Sequence, residues 1–228
     1  MRRYVRGQVA AAVGVYPVRG KPRHKLIRAH YEHRVIPGRD SYDVLDWGSR
    51  EAQLARFHVL VDILLENKFP TPSEAAPSRL LDVGCGLSDL CTLLQKLKFD
   101  IDYVGVDIVP AIIKEARRRH PERKLLLADI FQEEPFQAES FSAVFCSGTF
   151  NLEMGNNDIF LLHAMDRMLP LVSDCVIVNL LHVRTAEKYD HCHYYDPDRL
   201  IPKLSPKASR IDLRDNYLEN DFTLTLWG

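Results

Sequence analysis

Hydrophobic positions first settle into a regular period over residues 50–66. There Leu54, Phe57, Val61, Leu64 and Leu65 fall on one helical face, behind Ser49, a residue suited to cap the first turn. Pro70, Pro72, Ser73 and Pro77 then break the pattern and read as a linker. From Ser78 onward, short apolar runs alternate with amphipathic stretches. Residues 79–83 predict a strand, and Leu90, Leu93, Leu94 and Leu97 a helix. A second strand follows over 103–106, and a helix opens at Pro110, where a first turn tolerates proline. Strands are predicted at 125–128 and 143–146, a helix over 158–169 capped by Asn157, and a strand at 176–181. That last run is almost wholly apolar, as in a strand buried on both faces. Alternation of this length predicts an α/β fold, a doubly wound and mostly parallel sheet with right-handed crossovers. The end of the chain differs. Strands at 210–213 and 222–227 are joined only by a short turn around Leu218, Glu219, Asn220 and Asp221, which forces antiparallel pairing and one reversed strand.

Composition narrows the picture only modestly. With 228 residues, 46% hydrophobic and 27% charged, the chain suits one domain with a short extension, and excludes fibrous and disordered classes. No apolar run approaches a bilayer span. The stretch 9–15 is too short and too poorly flanked to read as a signal peptide. Five scattered cysteines form neither a disulfide framework nor a zinc set, so a reduced, cytoplasmic protein is expected. The net charge of −1 hides an asymmetry. Residues 1–40 carry ten Lys and Arg against two acidic residues, leaving 20 basic against 29 acidic residues in the remainder. A basic arm on an acidic body is either a solvated terminus or an anchor for nucleic acid through 19–39.

The chemistry concentrates where the first predicted strand enters a turn, at Leu81-Asp82-Val83-Gly84-Cys85-Gly86. Gly84 and Gly86 allow a tight turn and close approach to a ligand, and the following helix offers free amides. Asp107 ends the next strand, where a carboxylate accepts both hydroxyls of a ribose. Asp129 ends the third and offers an acceptor for an adenine amino group. Three carboxylates at successive strand ends are more than helix caps require. Asp89 stands where a dinucleotide fold places a third glycine, and it would repel a pyrophosphate. An NAD-dependent enzyme is therefore disfavoured, and a ligand with ribose and adenine but no phosphate fits better.

On these residues, with Tyr103-Val104-Gly105-Val106-Asp107, Leu127-Ala128-Asp129-Ile130 and 141–146, the chain resembles the class I S-adenosylmethionine-dependent methyltransferases over about residues 45–228. The resemblance implies a seven-stranded Rossmann-like sheet with a reversed C-terminal strand and an N-terminal helical cover. It divides the chain into a basic arm (1–40), a helical cover and linker (41–77) and a cofactor-binding catalytic domain (78–228). It implies S-adenosyl-L-methionine as cofactor and S-adenosyl-L-homocysteine as product. Asp82, Gly84, Cys85 and Gly86 would line the methionine portion, Asp107 the ribose, and Ile108, Asp129 and Ile130 the adenine. Cys146 would lie near the sulfonium by its backbone. The family often has a third glycine where Ser88 stands; Ser88 is expected to cap the helix instead.

The segment 42–57 is expected to cover the site, with Trp47 or Tyr31 facing the sulfonium and Arg56 pairing with the cofactor carboxylate. Methyl transfer needs positioning above all, and a base only where the acceptor holds its proton. Asn151, Glu153 and His182 stand near strand ends, with His182 the best placed base and Asn151 beside the acceptor. His191, His193 and Asp196 lack a third ligand at a telling distance, so no metal is expected. The expected function is methyl transfer to a small-molecule acceptor. The alternatives are a nucleic-acid methyltransferase anchored by the basic arm and a non-catalytic cofactor-binding module.

Overall fold

A seven-stranded sheet organises the chain, seen in a computed structural model that describes residues 17–18, 21–69 and 78–228. The expected linker prolines and the apolar stretch 9–15 lie outside the described residues. A small antiparallel pair, β1 (Pro17–Val18) and β2 (Lys21–Pro22), precedes α1 (Arg23–Tyr31), α2 (Ser41–Val44) and α3 (Arg50–Glu66). Then follow β3 (Ser78–Val83), α4 (Asp89–Lys96), β4 (Ile101–Asp107), α5 (Pro110–Arg119), β5 (Lys124–Leu127) and β6 (Phe141–Ser147). The chain closes with α6 (Asn157–Met168), β7 (Val172–Leu181), α7 (Pro197–Leu204), β8 (Arg210–Arg214) and β9 (Asp221–Trp227).

The strands lie in the order β5-β4-β3-β6-β7-β9-β8, parallel except for β9, which runs against both its neighbours. This is the expected doubly wound sheet with its reversed last strand. From β3 the chain works outward to β5 and then crosses back to β6, so the strand order reverses between β3 and β6, where such sheets open a crevice. Register aligns the strand ends there. Val83 sits opposite Val106 on one side and Cys146 on the other, and Asp107 sits opposite Leu127. In β7 every residue from Cys175 to Leu180 is at most 1% exposed, which accounts for a run apolar but for Asn179, whose amide donates to the Thr223 hydroxyl. No helix among the described residues is long and apolar enough to cross a membrane.

Four local expectations change. Ser49 does cap α3, accepting from the Ala52 amide at 3.1 Å, but the buried face of that helix is broader than expected and leaves out Leu65. Gln53 and Arg56 face inward with Phe57, Leu60, Ile63 and Leu64, while Leu65 is 59% exposed. Phe57, Val61 and Leu64 of the expected face are buried, and the face is wider than apolar residues alone suggest because Arg56 is held inside by a carboxylate. Ser88 adopts a left-handed φ of 67° and its side chain makes no capping bond. Asn157 accepts from the Met154 amide at 2.8 Å and donates to the Phe150 and Leu152 carbonyls, so it ties down the loop before α6 instead of capping it.

The last change concerns the basic segment. Arg23 of α1 pairs with Asp129, Arg28 Nε donates to the Ile108 carbonyl at 3.0 Å, and Ile27 is buried. Arg34 pairs with Asp46, and Arg39 with Asp43. The helical cover thus reaches back to Arg23, because these arginines find carboxylates and carbonyls within the fold.

Candidate active site

Above the switch point lies a cavity of about 710 Å³. Its floor is made by the ends of β3, β4 and β6 and the turn after β5. Gly84 takes φ +73°, and a Cβ there would lie 2.2 Å from Thr149 Oγ1, a hydroxyl that donates to the Val83 carbonyl. Gly148 takes φ +74°, and a Cβ there would stand 2.4 Å from the Trp47 ring. Both turns are therefore open only to glycine, and the indole of Trp47 packs against the second. Asp107 ends β4 with one carboxylate oxygen accepting from the Val109 amide at 2.9 Å and the other from Gly86 at 3.2 Å. It lines the cavity with lone pairs to spare, and burial pushes its carboxyl up to about 6.

Of the residues expected at the cofactor, Gly84, Asp107, Ile108, Asp129 and Ile130 lie on the floor and Trp47 and Arg56 in the cover, all on the cavity wall. Asp129 is engaged by Arg23, whose guanidinium also lies 4.4 Å over the Phe160 ring. Asp82, Cys85, Gly86 and Cys146 lie behind the wall. Asp82 accepts from the Tyr103 hydroxyl at 2.7 Å, and burial pushes its carboxyl up to about 7. Gly86 is covered by the Leu45 side chain, and Cys85 packs against Gly105. Cys146 is fully buried, with its thiol pushed up to about 12. Arg56 corrects an expectation outright. Its guanidinium forks onto Asp221, with both groups buried, and lies 4.5 Å over the Trp47 ring. The carboxylate expected from the cofactor is supplied by β9.

Asn151 lines the cavity and accepts from the Leu181 amide at 3.3 Å, joining the end of β7 to the loop after β6. His182 does not reach the wall. It is 8% exposed, its Nδ1 accepts from the Arg184 amide at 3.1 Å, and its ring meets Phe222 edge-on. At the end of β7 its side chain turns toward β9, away from the crevice. His191 and His193 separate. The first lines the cavity; the second holds Glu153 at 2.9 Å, outside it. Asp196 caps α7 by accepting from the Asp198 amide. Among the described residues no group of three His, Cys, Asp or Glu is placed to hold a metal.

The roof holds more than the expected segment 42–57 and Tyr31. Arg23, Ile27 and His30 of α1, which the sequence reading did not place at the site, line the cavity with Tyr31, Leu45 and Asp46, and so do Thr185, Ala186, Glu187, Tyr189, His191 and Cys192 of the loop after β7. Only α1 left a usable trace, since Ile27, His30 and Tyr31 share one helical face.

The donor set suits S-adenosylmethionine. A strand-end carboxylate faces the cavity, two positive-φ glycines open the turns, and Trp47 and Tyr31 add aromatic surface to its wall. Fold and site together define a class I S-adenosylmethionine-dependent methyltransferase.

A family model described as a methyltransferase domain matches residues 76–195, and the chain belongs to that family. It is 32% identical over 122 residues to the mitochondrial citrate synthase-lysine N-methyltransferase of Homo sapiens, a match covering 46% of this chain and 48% of that protein. The chain thus spans about half the length of the curated relatives it first matches. Among solved structures, magnesium protoporphyrin IX methyltransferase from Synechocystis PCC 6803 with bound S-adenosylhomocysteine superposes with a TM-score of 0.63 at 12% identity, over 89% of this chain and 98% of that one. The N-methyltransferase NodS of Bradyrhizobium japonicum WM9, also with S-adenosylhomocysteine, gives 0.62 at 14% identity, over 88% and 97%. Identities this low speak for the fold alone.

Proposed function

We propose that the protein methylates the nitrogen of a small-molecule amine. The observation that carries this reading is the character of the cavity outside the cofactor floor. Glu187 and Glu219 stand at its rim, and Tyr189, Tyr194 and His191 supply aromatic faces. An acidic, aromatic wall favours a cation over an anion. The volume falls within the range of small-molecule sites, about 300–1,000 Å³, and the chain's own segments roof it, which favours a small acceptor over an extended polymer.

Bound S-adenosylmethionine supplies an electrophilic methyl group. Asp107 would accept the ribose hydroxyls, Ile108 and Ile130 would pack on the adenine with Asp129 at its edge, and Gly84 would let the backbone approach the methionine portion. Trp47 would face the sulfonium, with Arg56 holding the indole in place. Asn151 would bond the acceptor from the β6 side. The nucleic-acid reading loses support because Arg23, Arg34 and Arg39 are already paired within the fold. Five free cysteines suit a reducing compartment, and we place the protein in the cytoplasm on that ground.

The test is a methyl-transfer assay by mass spectrometry, with tyramine and benzylamine as amine probes and a simple phenol and total RNA alongside. The reading predicts a single-methyl mass gain on an amine. Methylation confined to RNA or to the phenol would overturn it.

A further inference from the structure

Three distant segments meet in the roof at one carboxylate. Asp46 follows α2 with a left-handed φ of 60°. It accepts from His30 Nε2 of α1 at 2.8 Å and from Arg34 at 2.6 Å. His191, from the loop after β7, brings its Nε2 within 3.6 Å of Asp46 Oδ2, the oxygen that accepts from His30. The two imidazoles stack with centroids 5.6 Å apart, and His30, Asp46 and His191 all line the cavity.

The chemistry of this arrangement is directional. A carboxylate only accepts, so the Asp46 contact keeps the His30 ring proton on Nε2 and leaves the lone pair on Nδ1. Among the described residues Nδ1 has no hydrogen-bond partner. The charged and titratable neighbours of the ring are Asp46, Arg34, His191 and Tyr31, the last edge-on at 4.7 Å. Burial outweighs the pull of Asp46 and lowers the ring below its ordinary value, with Arg34 and His191 acting in the same direction. His30 is therefore neutral at pH 7.

We propose that His30 is the general base of the reaction, taking the acceptor's proton on Nδ1, with Asp46 as the residue that positions it. This rests on the amine reading above. An alkylammonium has no lone pair for attack. A sulfonium in the same cavity disfavours a positive charge on the amine, so the proton leaves the ammonium for His30 Nδ1, where the Asp46 carboxylate offsets the charge of the imidazolium. The freed nitrogen pair then bonds the methyl carbon while the carbon–sulfur pair stays on sulfur. The products are the methylated ammonium, neutral S-adenosylhomocysteine and an imidazolium that returns its proton to water.

The deciding experiment is nitrogen-15 NMR of the histidine rings in the S-adenosylhomocysteine complex, paired with tyramine methylation by wild type, His30→Gln and Asp46→Asn. The proposal predicts a neutral His30 ring protonated on Nε2 at pH 7.5. It predicts that His30→Gln lowers kcat about 10²-fold or more with cofactor affinity retained. The acid limb of the wild-type kcat/KM profile disappears in that variant and moves in Asp46→Asn. A ring protonated on Nδ1, or charged at pH 7.5, would overturn it, as would an active wild type whose His30→Gln variant keeps both rate and acid limb. A wild type that binds cofactor but methylates no amine contradicts the amine reading itself, and the ring state then judges His30 separately.

Discussion

The floor and the roof of the cavity are built by different means. The floor comes from contiguous sequence, each strand delivering its residue to the crevice by register. The roof comes from segments far apart in the chain, fastened to the body by ion pairs such as Arg23 to Asp129 and Arg56 to Asp221. Neighbouring floor residues are fixed by the sheet whatever the roof does. The roof has no sheet to set its geometry, so its shape depends on a few buried charges. The division matches the chemistry, in which a shared cofactor needs a constant floor and a particular acceptor needs a particular roof.

The comparison breaks most visibly if the roof is unfastened. Arg56→Met leaves Asp221 buried without its partner, and losing one member of such a pair costs about 3–5 kcal/mol. Urea unfolding should show that loss, and Trp47, which stacks on Arg56, should report a looser environment in its fluorescence.

The floor answers to pH. Asp82 and Asp107 are raised to about 7 and about 6, so between roughly pH 4 and 7 the folded chain binds more protons than the unfolded one. Their contribution to stability therefore rises as pH falls from 7.5 to 5, by at most about 1.4 kcal/mol per pH unit for each group, against the usual direction for carboxylates. Thermal unfolding of Asp82→Asn beside wild type isolates the share of Asp82. S-adenosylhomocysteine affinity should move oppositely, weakening below about pH 6 as Asp107 protonates.

Gly84→Ala is the smaller structural perturbation, at about 2 kcal/mol. It combines a left-handed backbone with a Cβ that displaces Thr149 Oγ1 from the Val83 carbonyl. Unlike Arg56→Met it should abolish cofactor binding while leaving the roof closed, which differential scanning with and without S-adenosylhomocysteine would reveal.

The same division governs what could be read from the chain. The sheet, its reversed strand and the glycine turn after β3 were legible because periodicity and strand-turn-helix spacing are local properties, though of the run Asp82 to Gly86 only Val83 and Gly84 reach the cavity wall. Asp107, Ile108, Asp129 and Ile130 followed, since each lies at a predicted strand end. Local reading failed where a side chain's direction is set by a distant partner. Arg56 looked available because Asp221 lies 165 residues away. His182 looked poised at a strand end until Phe222 and the Arg184 amide claimed its ring. His30 carried no signal beyond its place on one face of α1, because Asp46 and His191 reach it only through the fold.

The most direct test of a cofactor floor independent of its roof is calorimetric titration of wild type, Asp107→Ala and His30→Gln with S-adenosylhomocysteine. Wild type should bind near 1 μM, about 8 kcal/mol. His30→Gln should bind comparably, and Asp107→Ala, shown to be folded by circular dichroism, about 100-fold or more weakly. Wild-type affinity in folded Asp107→Ala, or loss of binding in His30→Gln, would contradict the account.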